Sequence, residues 1–450
     1  MDTIIEGLWG LADHEEKECR IGRAIKCLEA ICKSNISLLP IVEAKTRLRI
    51  ATLLLKHSDN VTQAKNHLER SQLLLKCIPS CFELKCRTYS LLSHCYHIAG
   101  AIPPQKQILH KALDLTALTT SEVSRQLWAC NFNSQLAIAL VLEGDYAAAL
   151  SALESGLSWA SRISNSELQV FFALSILHIH LMHWRDDNLV FIALNRCDEI
   201  CGTLDPNATE KCKGLLFYKE VLFVLYYLRI SDHKNAVQHA EKLDVDMNAY
   251  MLAQKSSEEN SSMTTFVHGS HSRKLVCFGN EHSGHSKLIL APSPIDGEWL
   301  PGNALYILVD FMVALIGCPK GLFKECSRRI QSGMTVIQGE LLMVGISNDA
   351  RGAELNLQPS TVWMAGIYLM LQMHFLEIKA SVDLARCDLV EAQEMVKEFT
   401  PLGYWTILAL ECHANLQYGI ESACCSKAMF TYSKGASHGR AWPIWPHMMA

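Results

Sequence analysis

The chain has 450 residues, of which 49% are hydrophobic and 19% are charged. A composition this apolar is typical of a folded protein with a large core and excludes an intrinsically disordered one. The formal net charge is −5, from 41 basic and 46 acidic residues. Proteins that bind nucleic acid through bulk electrostatics carry a basic footprint, so we expect no direct, sequence-specific binding of nucleic acid.

Cysteine usage and the length of the apolar runs indicate the compartment. The eighteen cysteines are scattered through apolar helical segments, which is typical of reduced thiols in the cytosol or nucleus. Residues 1–6 lack the basic start and the long apolar run of a secretory leader. The apolar runs at residues 303–318 and 361–376 are shorter than the roughly twenty residues that a membrane-spanning helix needs. We therefore expect no membrane association.

Helical periodicity dominates the first half of the chain. Leu136, Ala137 and Leu140 have the spacing of one helix face, and a turn at residues 144–146 follows them. A second helix then carries Ala149 on its inner face. Small side chains such as these two alanines allow antiparallel helices to approach closely. The segment therefore predicts a pair of packed helices.

The same arrangement recurs at intervals of about 40–46 residues. The position equivalent to Ala149 in the second helix of each pair is occupied by Ala24, Ala64, Gln105, Ala149, Val190 and Ala236. A four-helix bundle would not keep this offset over so many pairs. The sequence therefore predicts an all-α fold, a tetratricopeptide-like, right-handed superhelical solenoid of antiparallel helix pairs.

The predicted organisation has four parts. Residues 1–247 form an N-terminal repeat array, and residues 248–299, rich in Ser, His, Gly and Asn, form a loop or insertion. The repeat array continues over residues 300–416. Residues 417–450 form an irregular, poorly ordered tail without helical periodicity. Because a solenoid needs a polar capping element at its end, we expect a C-terminally shortened form. Within 300–416 the predicted helices cover residues 305–316, 323–339, 362–385, 390–399 and 404–416.

The sequence carries few motifs with chemistry. It lacks the G-x-x-x-x-G-K-[ST], G-x-G-x-x-G and H-E-x-x-H signatures, so we expect no enzymatic activity and no cofactor. Two histidine clusters are candidate metal sites, and the sequence argues against both. In the first cluster the three histidines do not lie on one helix face, and the second lacks the apolar residues that would bury a metal. These clusters are His178, His180 and His183 on one helix, and His268, His271, Cys277, His282 and His285 in the loop.

The first helix of each pair lines the concave groove in tetratricopeptide arrays. Residues projecting away from the second helix change from basic and polar to apolar along this chain. An extended peptide with acidic residues and hydrophobic anchors would suit such a groove, although the same side chains could instead solvate a surface or pack against a neighbouring turn. The predicted protein-binding residues are Arg49, Lys56, Arg87, Ser90, His94, His97, Asn131, Ser134, Phe172, Ile179, Tyr218 and Leu225.

Several local segments resemble one known family. The run at residues 43–51, continuing through 63–70 to Ile78 and Pro79, is similar to the tetratricopeptide subunit of the cohesin loader, the Mau-type sister-chromatid cohesion factor. Residues 8–12, 111–115 and 143–146 fit in the same order. The resemblance covers about residues 7–416 and depends on many local matches, not on one motif.

This resemblance implies a non-enzymatic scaffold that wraps the extended N-terminal segment of the large HEAT-repeat loader subunit, also called the adherin. The complex would promote cohesin loading on chromatin and sister-chromatid cohesion, with cohesin and chromatin contacted indirectly. It implies a nuclear location with a cytoplasmic pool. One rival is a generic tetratricopeptide scaffold or co-chaperone that clamps a short acidic peptide with Arg49, Lys56, Arg87 and Asn131. The other is an enzyme with its chemistry in the histidine-rich insertion.

Overall fold

The computed structural model describes residues 2–33, 38–58, 60–78, 80–117, 122–261, 304–343, 346 and 359–388. Within these ranges 87% of the residues are helical, and they form sixteen helices and no strand. The described residues fall into two compact units. Unit 1 ends at Asn165, and unit 2 begins at Ser166. The predicted all-α fold class is confirmed.

Unit 1 contains eight helices, which pack as four consecutive pairs. Short connections between helices of similar length make the members of each pair antiparallel. Its helices are α1 (Asp2–Lys17), α2 (Ile21–Lys33), α3 (Pro40–His57), α4 (Val61–Lys76), α5 (Phe82–Ile98), α6 (Ile102–Ala117), α7 (Glu122–Glu143) and α8 (Tyr146–Arg162).

Unit 2 continues the pairwise packing with α9 against α10, α12 against α13 and α14 against α15, and α16 packs on both α15 and α14. Its helices are α9 (Ser166–Met182), α10 (Asp187–Gly202), α11 (Pro206–Lys211), α12 (Lys213–Arg229), α13 (His233–Ser261), α14 (Ala304–Gly317), α15 (Phe323–Met343) and α16 (Pro359–Ala385). Both units therefore have the tetratricopeptide-like architecture of stacked helix pairs.

Turn and capping residues explain where the helices begin. Gly144 has a φ of 82°, a left-handed conformation that glycine adopts without strain, and it separates α7 from α8. The Asp145 carboxylate then accepts a hydrogen bond from the backbone N–H of Ala148 at 3.1 Å, which caps α8. Asn60 caps α4 in the same way through the N–H of Gln63. The turn predicted at residues 144–146 is thus present, and residues of the turn itself, Gly144 and Asp145, stabilise it.

The recurring position identified in the sequence has a fixed structural meaning. It is the fourth residue of α2, α4, α6, α8, α10 and α13, and its side chain is buried in every case. At Gln105 the polar side chain is accommodated because its amide nitrogen donates to Ser93 Oγ at 3.4 Å. The fourth residue of α15 is the buried Cys326, an equivalent position that the sequence periodicity did not identify. Residues 262–303 lie between the preceding helix pair and this one, so Cys326 does not follow Ala236 at the repeat interval.

The predicted boundaries agree with the helices in part. Helices α14, α15 and α16 occupy the ranges predicted at 305–316, 323–339 and 362–385. Helix α13 continues through the boundary predicted at residue 248 and ends at Ser261, so the first part of the predicted insertion is helical. The rest of the insertion to residue 299, the helices predicted at 390–399 and 404–416, and the tail from 417 lie outside the described residues. None of the described helices has the length and apolarity to cross a membrane.

Candidate protein-binding surface

Arg49 on α3 is engaged with α1. Its guanidinium donates to Glu16 at 2.9 Å through Nε and lies 2.5 Å from a carboxylate oxygen of Asp13. The same group lies over the indole ring of Trp9, 5.0 Å from its centroid. Two carboxylates and one aromatic face therefore satisfy this cation within unit 1, and Arg49 fastens the first helix pair to the second.

Lys56 on α3 and Arg87 on α5 are the predicted residues that the structure leaves exposed. Neither forms an ion pair with any other part of the described chain. Lys45 is also exposed on α3, and its spacing of three helical turns from Lys56 places both on one helix face. Helices α3 and α5 are in contact. We call Lys45, Lys56 and Arg87 the basic face of unit 1. Sequence reasoning missed Lys45, although its helical spacing from Lys56 could have revealed it.

His94 and His97 on α5 are partly buried, and their rings stack with centroids 6.5 Å apart. Burial lowers the pKa of His94 to about 4, because the charged imidazolium would lose its hydration. His94 is therefore neutral at physiological pH. It adds a flat polar surface to α5 and no positive charge.

Asn131 and Ser134 on α7 are buried in unit 1. The Asn131 side-chain oxygen accepts a hydrogen bond from Gln135 Nε2 at 2.9 Å, and the same nitrogen donates to Ser90 Oγ on α5 at 2.7 Å. The hydrogen bond from Gln135 to Ser90 links the neighbouring first helices α7 and α5. In this conformation the polar part of the predicted surface on α7 belongs to the packing of α7 on α5.

The four predicted apolar anchors lie in the core of unit 2. Phe172 and Ile179 on α9, and Tyr218 and Leu225 on α12, are all less than a tenth exposed. The Tyr218 hydroxyl lies 2.8 Å from Nδ1 of the buried His178. Burial lowers the pKa of His178 to about 3, so the ring that shares this hydrogen bond with the Tyr218 hydroxyl is neutral. In this conformation the four anchors present no open apolar surface, and their contact with a partner stays a prediction.

Within the described ranges, no group of three or more His, Cys, Asp or Glu side chains is arranged to hold a metal ion. His178 points to Tyr218 instead of towards a shared site with His180 and His183. The second predicted cluster, His268 to His285, lies outside the described residues. All cysteines within the described ranges are free thiols.

Comparison with known proteins gives a consistent result. Residues 21–401 match the cohesin loading factor family. The chain is 46% identical to the sister chromatid cohesion protein SCC4 of Arabidopsis thaliana, over 95% of this chain and 64% of that protein. It is 25% identical to a MAU2 chromatid cohesion factor homologue of Drosophila melanogaster, over 75% of this chain and 48% of that protein.

A MAU2 homologue of Aedes aegypti is 23% identical over 75% of this chain and 49% of its own length. The chain thus spans 64% of the plant relative and about half of the insect relatives. The matched family region covers most of the described helices of both units. The chain belongs to the cohesin loading factor family.

Proposed function

We propose that this chain is a non-enzymatic scaffold subunit of the cohesin-loading complex. It binds the extended N-terminal segment of the large HEAT-repeat loader subunit and thereby promotes cohesin loading on chromatin and sister-chromatid cohesion. Family membership supports the role in loading. The observation that carries the binding proposal is the basic face of unit 1, formed by Lys45, Lys56 and Arg87.

Exposed cations without carboxylate partners are suited to an acidic segment. Arg49 lies on the same helix as Lys45 and Lys56, but its charge is compensated by Asp13 and Glu16. Arg49 therefore differs from the basic face in being paired with acids of its own unit. An extended acidic segment would gain attraction along α3 and α5 without breaking ion pairs inside the unit. The proposed partner segment therefore carries acidic side chains where it meets this face.

The proposed setting is the nucleus, on chromosomes, with a cytoplasmic pool. Sister chromatid cohesion is the activity named for the plant and insect relatives. A net charge of −5 gives this chain no general attraction to DNA, so cohesin and chromatin are reached through the loader subunit. The scaffold contributes binding surface, and no catalytic step is assigned to it.

The rival function, a co-chaperone clamp for a short acidic peptide, needs Arg49, Lys56, Arg87 and Asn131 to point freely at one carboxylate. Arg49 is paired with two acids, and Asn131 is buried and hydrogen-bonded to Gln135. Two of the four clamp residues would have to leave their partners. The observations therefore favour a long extended segment over a short terminal peptide.

A charge-reversal experiment tests the proposal. Lys56→Glu and Arg87→Glu are combined, and binding of the purified loader N-terminal segment is measured by titration calorimetry at two salt concentrations. Like charges facing each other across an interface oppose binding, so we expect affinity to fall about tenfold or more, and the difference to shrink at high salt.

Lys76→Glu is the matched control, because Lys76 is also exposed and unpaired among the described residues but lies on the second helix α4. The control should bind within about twofold of the parent chain. Equal affinity of all three proteins would defeat the basic-face proposal. Tight binding of a short acidic peptide with no measurable binding of the long segment would favour the co-chaperone.

A further inference from the structure

Cys197 and Cys201 form a thiol pair on α10. They are one helical turn apart, so they share a face of the helix. Cys197 is completely buried, whereas Cys201 is partly exposed. The two thiols are hydrogen-bonded to each other. The pair therefore combines one sulfur that solvent can reach with one that it cannot.

Lys219 of α12 brings a positive charge to this pair. Its side chain is only 10% exposed, and Nζ lies 2.7 Å from Oδ1 of Asp198, the residue after the buried cysteine. Glu220 is 3.9 Å from the same nitrogen but also bonds His239 at 2.6 Å and Lys242 at 2.7 Å. Lys219 is thus a buried cation held at Asp198, which lies about one helical turn before Cys201, and Asp198 is the acid that competes for it.

These neighbours shift the pKa values of Cys197 and Cys201 in opposite directions. The hydrogen bond from the Cys197 thiol lowers the pKa of Cys201, burial opposes this, and the charge of Lys219 lowers it further. The same hydrogen bond and complete burial raise the pKa of Cys197. Cys197 therefore holds its proton more tightly than an ordinary thiol, and Cys201, the sulfur that reagents can reach, holds its proton more weakly.

We propose that Cys201 is an oxidative modification site, a thiol that peroxides convert to sulfenic acid, with Cys197 and Lys219 as its positioning residues. The Cys201 thiolate attacks one oxygen of the peroxide and the O–O bond breaks. The sulfur is oxidised by two electrons as the S–O bond forms. With hydrogen peroxide the leaving hydroxide takes a proton from solvent and becomes water, and the sulfur keeps the other oxygen as S–OH.

The helix geometry decides which product accumulates. Side chains one turn apart on a helix have Cβ atoms about 5–6 Å apart, whereas a disulfide needs about 3.5–4.5 Å. Closing a bond between Cys197 and Cys201 would therefore distort α10. The sulfenic acid at Cys201 should persist long enough to be captured by a diketone such as dimedone.

Peptide mass spectrometry of the whole chain tests this assignment. The protein is treated with limiting hydrogen peroxide and dimedone, and separately with iodoacetamide, and labelling rates are followed for each cysteine at pH 7. We expect Cys201 to react about tenfold faster than the more exposed Cys77, because thiolate fraction outweighs exposure. Lys219→Met and Cys197→Ala should each slow Cys201 several-fold, and Lys219→Arg should retain most of the rate.

Two further readouts separate this role from a structural one. Asp198→Asn removes the competing acid and should make Cys201 faster still. Cys197, buried in the folded chain, reports unfolding in every variant that keeps it, because it becomes labelled only when α10 opens. In Cys197→Ala the circular dichroism spectrum and the Cys77 rate serve instead. Cys201 reacting no faster than Cys77, or at an unchanged rate in folded Lys219→Met, would overturn the proposal.

Discussion

Two first helices, α3 of unit 1 and α12 of unit 2, are buried to different extents. Helix α3 exposes Lys45, Thr52 and Lys56 along one face, whereas residues such as Ile50 and Ala51 are buried. In unit 2, every residue of α12 from Phe217 to Tyr226 is buried, including Lys219 and Glu220. A helix covered on all sides depends on contacts around its whole circumference. One repeat architecture therefore supplies accessible surface at α3 and core at α12.

The largest effect is expected from charges placed inside α12. Tyr218→Asp combined with Leu225→Asp introduces two carboxylates at buried positions and removes the Tyr218–His178 hydrogen bond. We expect the free energy of unfolding to fall by about 4 kcal/mol or more, because buried charges without partners are among the most destabilising changes. Thermal unfolding followed by circular dichroism measures the loss.

Lys56→Asp combined with Arg87→Asp is the control for that double variant. It also places two carboxylates on first helices, but at exposed positions of unit 1. Its melting temperature should stay close to that of the parent chain. A double Tyr218 and Leu225 variant that keeps the parental melting temperature would mean that these side chains face an open surface, and the contrast between α3 and α12 would fail.

Removing one arginine from unit 2 should have the next largest effect. Arg329 on α15 bonds Asp244 of α13 at 2.6 Å and Asp310 of α14 at 3.0 Å, and it also pairs with Glu325. Arg329→Met leaves these carboxylates without their shared cation. We expect a loss of about 3 kcal/mol in the free energy of unfolding, measured by urea titration, because breaking a buried pair from one side leaves uncompensated charge.

The pH dependence of that variant has a definite sign. Burial already raises the pKa of Asp310, and removing the guanidinium raises it further. A carboxyl with a raised pKa in the folded state is better tolerated when protonated, so the deficit of Arg329→Met should shrink as pH falls from neutral. Arg328→Met is the control: this arginine is 69% exposed, and among the described residues it pairs with Glu325 alone. A deficit equal in both variants would contradict the role of the three-helix network.

A smaller effect is expected at the recurring position of unit 1. Ala149 is the completely buried fourth residue of α8, where α8 packs on α7. Ala149→Trp should cost roughly 2 kcal/mol in the free energy of unfolding, because a bulky side chain must enter a close helix contact. Ala147→Trp on the exposed side of α8 is the control and should be nearly neutral. Equal melting temperatures would show that the repeat position is misassigned.

The helix pairs were predictable because second helices bury one stripe and expose the other. Ala64 and Ala149 occupy equivalent buried positions, and the helical period alone reveals them. The surface of the first helices was not predictable in this way. Phe172 and Leu225 lie on helices that are apolar and buried nearly all round, so no periodicity distinguishes a side facing solvent from a side facing a neighbour. Burial there depends on tertiary packing.

Charged residues show the same limit. The sequence of α3 alone does not distinguish Arg49 from Lys56. In the structure, Arg49 is paired with Asp13 and Glu16 of α1 and Lys56 is not. Those acids are distant in sequence, so their effect on Arg49 follows only from how the first two helix pairs pack. Composition located the cations, and the fold decides which of them are available to a partner.

The smallest effect is expected at a glycine that separates two helices of unit 2. A Cβ added at Gly333 of α15 would lie 2.4 Å from Cζ of Phe375 on α16, a contact that real structures do not contain. Gly339, on the same helix, has no atom within 4 Å of an added Cβ. The two glycines therefore share helix propensity and differ only in the neighbour.

Gly339→Ala should stabilise the protein by up to about 1 kcal/mol, since alanine is the better helix former. Gly333→Ala gains the same propensity, but the ring of Phe375 must move, and overpacking typically costs about 1–3 kcal/mol. We expect Gly333→Ala to be less stable than Gly339→Ala by at least ~1 kcal/mol in urea titrations. Combining Gly333→Ala with Phe375→Leu should recover part of the difference, because the shorter side chain makes room for the methyl group. Equal stability of the two single variants would mean that α15 and α16 pack more loosely than in this structure, and that the core of unit 2 can rearrange around Gly333 and Phe375.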